Sequence, residues 1–248
     1  MKIDTGRLES ILKYAGLIKT SKPYIDPIKL MFTDEGLWIK QSDDASTLAV
    51  VAFFPKDYFI EYDFTGEVII PVKTTYKLLR KVLRDSTEVA LEFTENKFSI
   101  IGKTAKITDS LMTVEVRDLK DIEIKSYKNL YYSPSFGEIV GYLRVDYANL
   151  SEMECDSDIV FEWSDKGLKA KCTYATTEIE KNIPAMVEEY KQDIRVKIDS
   201  DLLDYVLKAT KTTLNTALIK AESGPGPVIF GVETDAFRVS YWIAPKIE

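Results

Sequence analysis

The chain has 248 residues, 45% of them hydrophobic and 29% charged, with a formal net charge of −7 and no histidine. That length can bury the cores of two ordinary domains. The lack of histidine removes Ser-His-Asp and Cys-His triads, histidine metal ligands and histidine general bases together; an enzyme built on carboxylates and metal stays open, but a protein without catalytic activity is the expectation. The longest apolar run, Leu48 to Phe54, stops at Pro55 and is far short of the roughly 18 residues of a membrane span. The start, Met1-Lys2-Ile3-Asp4, has no signal-peptide core, so an intracellular protein is expected, with no membrane partner. Cys155 and Cys172 have neither CxxC nor zinc spacing and are expected as reduced thiols; no cofactor or metal is expected.

In chain order, an amphipathic helix is predicted near 7–20, exposing Lys13 with Glu9. A hairpin follows, Ile28 to Leu37, turning at Asp34-Glu35-Gly36, where Gly supplies positive φ and Asp bonds its own backbone. A second helix is predicted at 73–84, then strands at 87–93, 97–101 and 107–116. The charged run Asp118 to Lys128 lacks Gly and Pro and reads as an extended connector. The same order then recurs: a helix at 135–150, a hairpin from Ile159 to Leu168 turning at Asp165-Lys166-Gly167, a helix at 200–213, and strands at 215–221, 227–233 and 236–243. Residues Ser223 to Pro227 read as a Gly- and Pro-rich loop. The two hairpins align without gaps. The pattern β-α-βββ-α-βββ, written twice, predicts an α+β protein of two similar domains, 1–117 and 129–248, joined by 118–128.

Charge is unevenly placed. Residues 1–117 are balanced, and the whole excess of −7 falls after them. On a helical wheel Lys73, Lys77, Arg80, Lys81 and Arg84 fall within a stripe roughly 100° wide, opposite Tyr76, Leu78, Leu79, Val82 and Leu83. Solvated helix faces usually mix signs, so an acid-free stripe favours a polyanion. The helix at 200–213 carries Lys208 and Lys211, with Asp201 and Asp204 in its first turn. The helix at 135–150 buries Phe136, Ile139, Val140, Leu143, Tyr147 and Leu150, with Arg144 at its margin. No aromatics interleave with these cations and no base-reading motif is present, which leaves phosphate contact without sequence readout. Asp43 and Asp44 are adjacent but lack a third carboxylate at motif spacing, and read as a solvated turn rather than a nuclease centre.

The ending Tyr241-Trp242-Ile243-Ala244-Pro245-Lys246-Ile247-Glu248, the segment Phe53-Phe54-Pro55-Lys56-Asp57-Tyr58-Phe59-Ile60-Glu61-Tyr62-Asp63, and the apolar pair Ile122 and Ile124 in the connector resemble the proliferating cell nuclear antigen (PCNA) family, archaeal type. The resemblance spans the chain. It implies the DNA clamp (processivity) fold: a ring of two-domain subunits, homotrimer or heterotrimer, with helices lining the interior and sheets outside. It implies a processivity factor in replication and repair, cytoplasmic and nucleoid-associated, that encircles double-stranded DNA without sequence preference. The implied partners are a clamp loader, DNA polymerase, flap endonuclease and DNA ligase. The alternative is a viral-type factor, monomeric or dimeric, that forms no ring. DNA contact then falls to Lys13, Lys73, Lys77, Arg80, Lys81, Arg84, Arg144, Lys208 and Lys211. A partner-peptide pocket falls to Gln41, Ala45, Ile122, Ile124, Pro227, Ala244, Pro245 and Ile247. Subunit contact falls to Leu111, Thr113 and Val114 in one edge run, 109–116, and to Thr177 and Ile179 in the other, 173–183. The helix at 135–150 lacks the basic residues the resemblance implies, so unequal DNA contact by the two domains is expected.

Overall fold

Each Asp-x-Gly turn closes a β-hairpin, with Phe32 opposite Leu37 in one and Ser164 opposite Gly167 in the other. The structure, a computed structural model, describes residues 1–246 except 21, 84, 154 and 157, with the backbone alone of Val82. The chain gathers into two units. The first comprises 1–41, 51–118 and 234–237; the second comprises 42–50, 119–233 and the segment from 238 onward.

In the first unit, β1 (Lys2–Asp4) leads into α1 (Thr5–Gly16). Asp4 caps this helix by accepting the Arg7 N–H at 3.0 Å. Leu8, Ile11, Leu12 and Ala15 repeat at helical spacing and are buried. Four strands follow: β2 (Ile28–Phe32), β3 (Gly36–Ser42), β4 (Leu48–Pro55) and β5 (Gly66–Ile70). The first residues of β4, 48–50, group with the second unit. After α2 (Val72–Val82) come β6 (Glu88–Phe93), β7 (Lys97–Ile101) and β8 (Lys106–Ser110). The order β1-β6-β7-β8 forms one antiparallel sheet with β8 at its edge.

The second unit begins with a small hairpin of β9 (Lys125–Tyr127) and β10 (Leu130–Tyr132). Then come β11 (Glu138–Val145), α3 (Tyr147–Ser151), β12 (Asp158–Ser164), β13 (Gly167–Tyr174), β14 (Thr177–Ile183), β15 (Ala185–Tyr190) and β16 (Ile194–Asp199). Helix α4 (Ser200–Thr210) and strands β17 (Leu214–Ala221), β18 (Gly224–Glu233) and β19 (Arg238–Ile243) complete it. One sheet runs β14-β13-β12-β16, and the order β15-β11-β17-β18-β19 forms the other. Trp163, Phe161 and Phe230 are almost fully buried in this unit, and truncating one such aromatic to Ala costs about 3–5 kcal/mol.

The α+β duplication is present. The order β1-α1-β2-β3-β4-β5-α2-β6-β7-β8 is answered by β11-α3-β12-β13-β14-β16-α4-β17-β18-β19, with β15 inserted. Between its two helices the first half has one strand more, and the second half two more, than the sequence pattern suggested.

Four local expectations are corrected. The helix predicted at 135–150 is strand β11 followed by the one-turn α3. Strand β11 pairs with β15 on one edge and β17 on the other and is buried on both faces from Ile139 to Leu143, so Ile139, Val140, Tyr142 and Leu143 form an apolar run, broken by Gly141, that periodicity alone cannot separate from a helix. Gly137 and Gly141 also weigh against a helix there. The expected loop 223–227 lies largely within β18, where Gly224 pairs with Ala221 and Pro225 with Lys220. The strand expected to reach 116 ends at Ser110, because its neighbour β7 starts at Lys97, opposite Ser110, and supplies no further ladder. Cys155 and Cys172 are joined in a disulfide, with Cα atoms 5.7 Å apart. Their spacing gave no sign that the segment after α3 runs beside β13, where the Asp156 N–H donates to Thr173 O at 2.9 Å.

Candidate functional site

Helix α2 carries the cationic stripe. Its N-terminal residue Pro71 offers no side-chain cap, and Asp26 takes that role by accepting the Val72 N–H at 2.8 Å. Val72, Thr75, Tyr76 and Leu79 are buried, while Lys73, Lys77, Arg80 and Lys81 are exposed. Lys73, Lys77 and Lys81 have no ion-pair partner among the described residues. Arg80 differs: its Nε lies 3.5 Å from a Glu9 carboxylate oxygen on α1, to which the Tyr76 hydroxyl also donates at 3.1 Å. The stripe is acid-free along its own helix, but a neighbouring helix brings an acid to it. Burial raises the Tyr76 pKa, and Glu9 adds to the rise. Arg84 lies outside the described residues.

The remaining predicted DNA contacts are scattered. Lys13 sits in the last turn of α1, 5.8 Å from the centre of the Tyr14 ring. Arg144 is exposed, but on strand β11 rather than a helix. Lys208 on α4 is paired with Asp204 one turn earlier, at 2.8 Å. Lys211 is the left-handed residue that ends α4, with φ 51°. Asp199 caps the same helix by accepting the N–H groups of Asp201 and Leu202. The second unit's helices therefore present a short, uncharged α3 and an α4 whose acids offset its cations. Among the predicted contacts, the cations that share one helix face without a described ion-pair partner are Lys73, Lys77 and Lys81 of α2.

The predicted peptide-pocket residues divide. Gln41 is buried, and its amide is spent on the fold: it accepts the Lys29 N–H at 2.9 Å and donates to Pro27 O at 2.8 Å. Its backbone also bridges to Asp118, whose carboxylate pairs with Lys29 at 3.0 Å, fixing the start of the connector. Ala45 is exposed on the loop after β3. The Asp43 carboxylate organises that loop by accepting the N–H groups of Thr47 and Leu48 and the Thr47 hydroxyl, so Asp43 is a turn former, as its sequence suggested. The tail is bonded to this loop, with the Ala244 N–H donating to Thr47 O at 2.9 Å. Ala244, Pro245, Pro227, Ile122 and Ile124 are half-buried. Ile247 lies outside the described residues.

Lys246 was missed as a site residue, although it is the basic member of the Ala-Pro-basic ending. Its N–H donates to Lys197 O at 2.7 Å. Its ammonium bonds the Asp158 carboxylate and lies 3.0 Å from that of Asp199. These two carboxylates raise its pKa. The tail is thus fixed at Ala244 and again at Lys246, on either side of Pro245.

The predicted subunit-contact residues lie on or beside free edges. Thr177 and Ile179 are on β14, which pairs only with β13 among the described strands. Leu111, Thr113 and Val114 lie beyond β8 in an irregular run, held where the Leu111 N–H donates to Asn96 O and the Met112 N–H to Ile69 O, each at 3.0 Å. Val114 is 44% exposed in this run.

The fold is that of the sliding clamps. Three solved clamps match essentially the whole chain. The PCNA of Archaeoglobus fulgidus, bound to the C-terminal region of FEN-1, superimposes with a TM-score of 0.73 at 14% identity over 100% of this chain and 98% of that one. The PCNA2–PCNA3 complex from Sulfolobus tokodaii gives 0.70 at 17% identity, over 100% of both chains. The Entamoeba histolytica PCNA gives 0.75 at 14% identity, over 99% and 98%. In sequence, 95 residues are 28% identical to DNA polymerase sliding clamp 2 of Sulfolobus acidocaldarius, a match that spans 37% of this chain and 39% of that relative's length. No family model matches. No helix among the described residues is long and apolar enough to cross a membrane.

Proposed function

We propose that the chain is a subunit of a sliding clamp: a ring that encircles duplex DNA, keeps a polymerase on its template and docks flap nuclease and ligase, with no catalysis of its own. The observation that carries this reading is the cationic face of α2 within a clamp fold. Lys73, Lys77 and Lys81 supply charge without base-reading geometry, which suits a protein that must slide. The free edge of β14 and the exposed run after β8 supply the two unlike surfaces that a head-to-tail ring needs. The doubly fixed tail, with Pro245 between its anchors, is a ready wall for a partner peptide, by likeness to the A. fulgidus clamp bound by the FEN-1 C-terminal region. In this reading the protein works inside the cell, on the chromosome.

The assembly is tested by native mass measurement of the protein alone and mixed with other clamp chains. A trimer of copies supports the homotrimer. A monomer that trimerises only with clamp paralogues supports a mixed ring; the uneven charge of the two halves is compatible with either assembly. A monomer under every condition overturns the ring.

A further inference from the structure

We propose that the Cys155–Cys172 disulfide is a redox latch on β14, the edge strand that the clamp reading assigns to subunit contact; the regulatory half of this inference rests on that reading. Cys172 lies on β13, directly opposite Ile179 of β14, and the next two pairs along the ladder are Thr173 with Glu178 and Tyr174 with Thr177. The disulfide therefore joins the strand at the position facing one predicted contact residue and two places from another. Cys155 belongs to the segment leaving α3, and the bond holds that segment beside the turn end of the β13–β14 hairpin.

Three further contacts join this segment to the same hairpin. The Asp156 N–H donates to Thr173 O at 2.9 Å, and the Asp156 carboxylate accepts the Ala175 N–H in the hairpin turn. The Glu152 carboxylate pairs with Lys181 on β14 itself. The Asp156 carboxylate and Glu152 contacts are solvent-exposed and individually weak. The covalent bond is what keeps the segment in reach of them. Tyr174, Thr177 and Glu178 are exposed at the hairpin end, so side-chain burial adds little there to the β13 ladder that holds that end of β14. A strand ordered before association loses less entropy on pairing than one ordered during it.

Release follows from thiol–disulfide exchange. One thiolate of a dithiol attacks a cysteine sulfur, the Cys155–Cys172 bond breaks and a mixed disulfide forms. The second thiol then displaces the protein sulfur, leaving two protein thiols and an oxidised dithiol, with two electrons and two protons transferred. Cys172 is buried. Cys155 is half-buried and lines an open groove of about 570 Å³ beside α3 and α4, with Tyr147, Met153 and Tyr174, so attack is expected at Cys155.

The test compares oxidised protein, protein reduced with dithiothreitol, and the Cys155→Ser/Cys172→Ser variant. Hydrogen exchange over 173–183 is measured together with the subunit dissociation constant from native mass titration. Exchange over 173–183 should quicken on reduction while β17–β19 stay protected, and subunit affinity should fall about tenfold. The serine variant should behave as the reduced form with or without reductant. Equal exchange and equal affinity in oxidised and reduced protein would overturn the latch. Loss of protection throughout the second unit would overturn it too, by making the disulfide a global support. If the oxidised protein makes no subunit contact at all, the clamp assembly fails, while the exchange measurement still judges the local latch.

Discussion

The guanidinium of Arg80 on α2 lies 3.5 Å from the carboxylate of Glu9 on α1. One acid from a second helix thus reaches a stripe whose own helix holds none. Both groups are well exposed, so the pair contributes little to stability. Its effect is on the field that α2 presents. Replacing Glu9 by Gln should leave the melting temperature nearly unchanged and strengthen DNA binding at low salt by about two- to threefold. Weaker binding by the Gln variant would show that Glu9 positions Arg80 rather than offsetting it.

Lys73, Lys77 and Lys81 should carry more of the DNA contact than Arg80. Each one replaced by Ala should lower the slope of log K against log salt by about one, without altering preference among sequences. Titrations of the single variants at several salt concentrations decide this. An unchanged slope in the triple variant would remove α2 from the DNA surface.

The two hairpin turns make different demands on their glycines. Gly36 has φ +152°, and a Cβ there would sit 2.3 Å from Phe54 O; Gly167 has φ +109° and open space around it. Gly167→Ala is expected to cost about 1–2 kcal/mol for backbone strain alone. Gly36→Ala should cost more, about 3 kcal/mol or above, because backbone must also move. Urea denaturation of both variants tests the order; equal losses would contradict it.

The Tyr127 hydroxyl donates to the Glu189 carboxylate, next to Lys128, which lies 4.4 Å from the centre of the Tyr142 ring. Burial, and then Glu189, push the Tyr127 pKa up to about 12. The same hydrogen bond, more than any other contact, holds Glu189 below the ordinary glutamate value. The two signs differ. The Tyr127 contribution to stability is complete below pH about 10 and is lost as pH rises through the folded value near 12. The Glu189 contribution is complete above its ordinary value and is lost as pH falls through the depressed one. In Tyr127→Phe the folded Glu189 pKa moves back toward its ordinary value, so the acid-side loss should shrink, as read by the pH dependence of urea midpoints. An identical acid limb would show that Glu189 is held down by Lys191 and Lys128 instead.

Lys246→Ala should weaken binding of the proposed partner peptide about tenfold by releasing the tail, and Lys246→Arg should restore most of it. Fluorescence anisotropy with a labelled peptide measures both. Full affinity in the Ala variant would show that the Ala244 anchor alone suffices.

Much of this was legible before any coordinates. The paired Asp-x-Gly turns marked the duplication because that turn chemistry is local. Helices α1, α2 and α4 were visible because each buries one stripe and exposes another. Strand β11 was not, since burial on both faces erases the alternation that marks a strand. The Glu9–Arg80 pair, the spent amide of Gln41 and the Cys155–Cys172 bond all join residues that only tertiary structure brings together. Lys246 was visible as a motif member, but its partners Asp158 and Asp199 were not.

The clamp reading is tested most directly by loading the assembled protein onto nicked circular DNA, washing at high salt, and then cutting the circle once. A closed ring stays on the circle through the wash and leaves when the DNA is linearised. Equal loss from circular and linear DNA would contradict it.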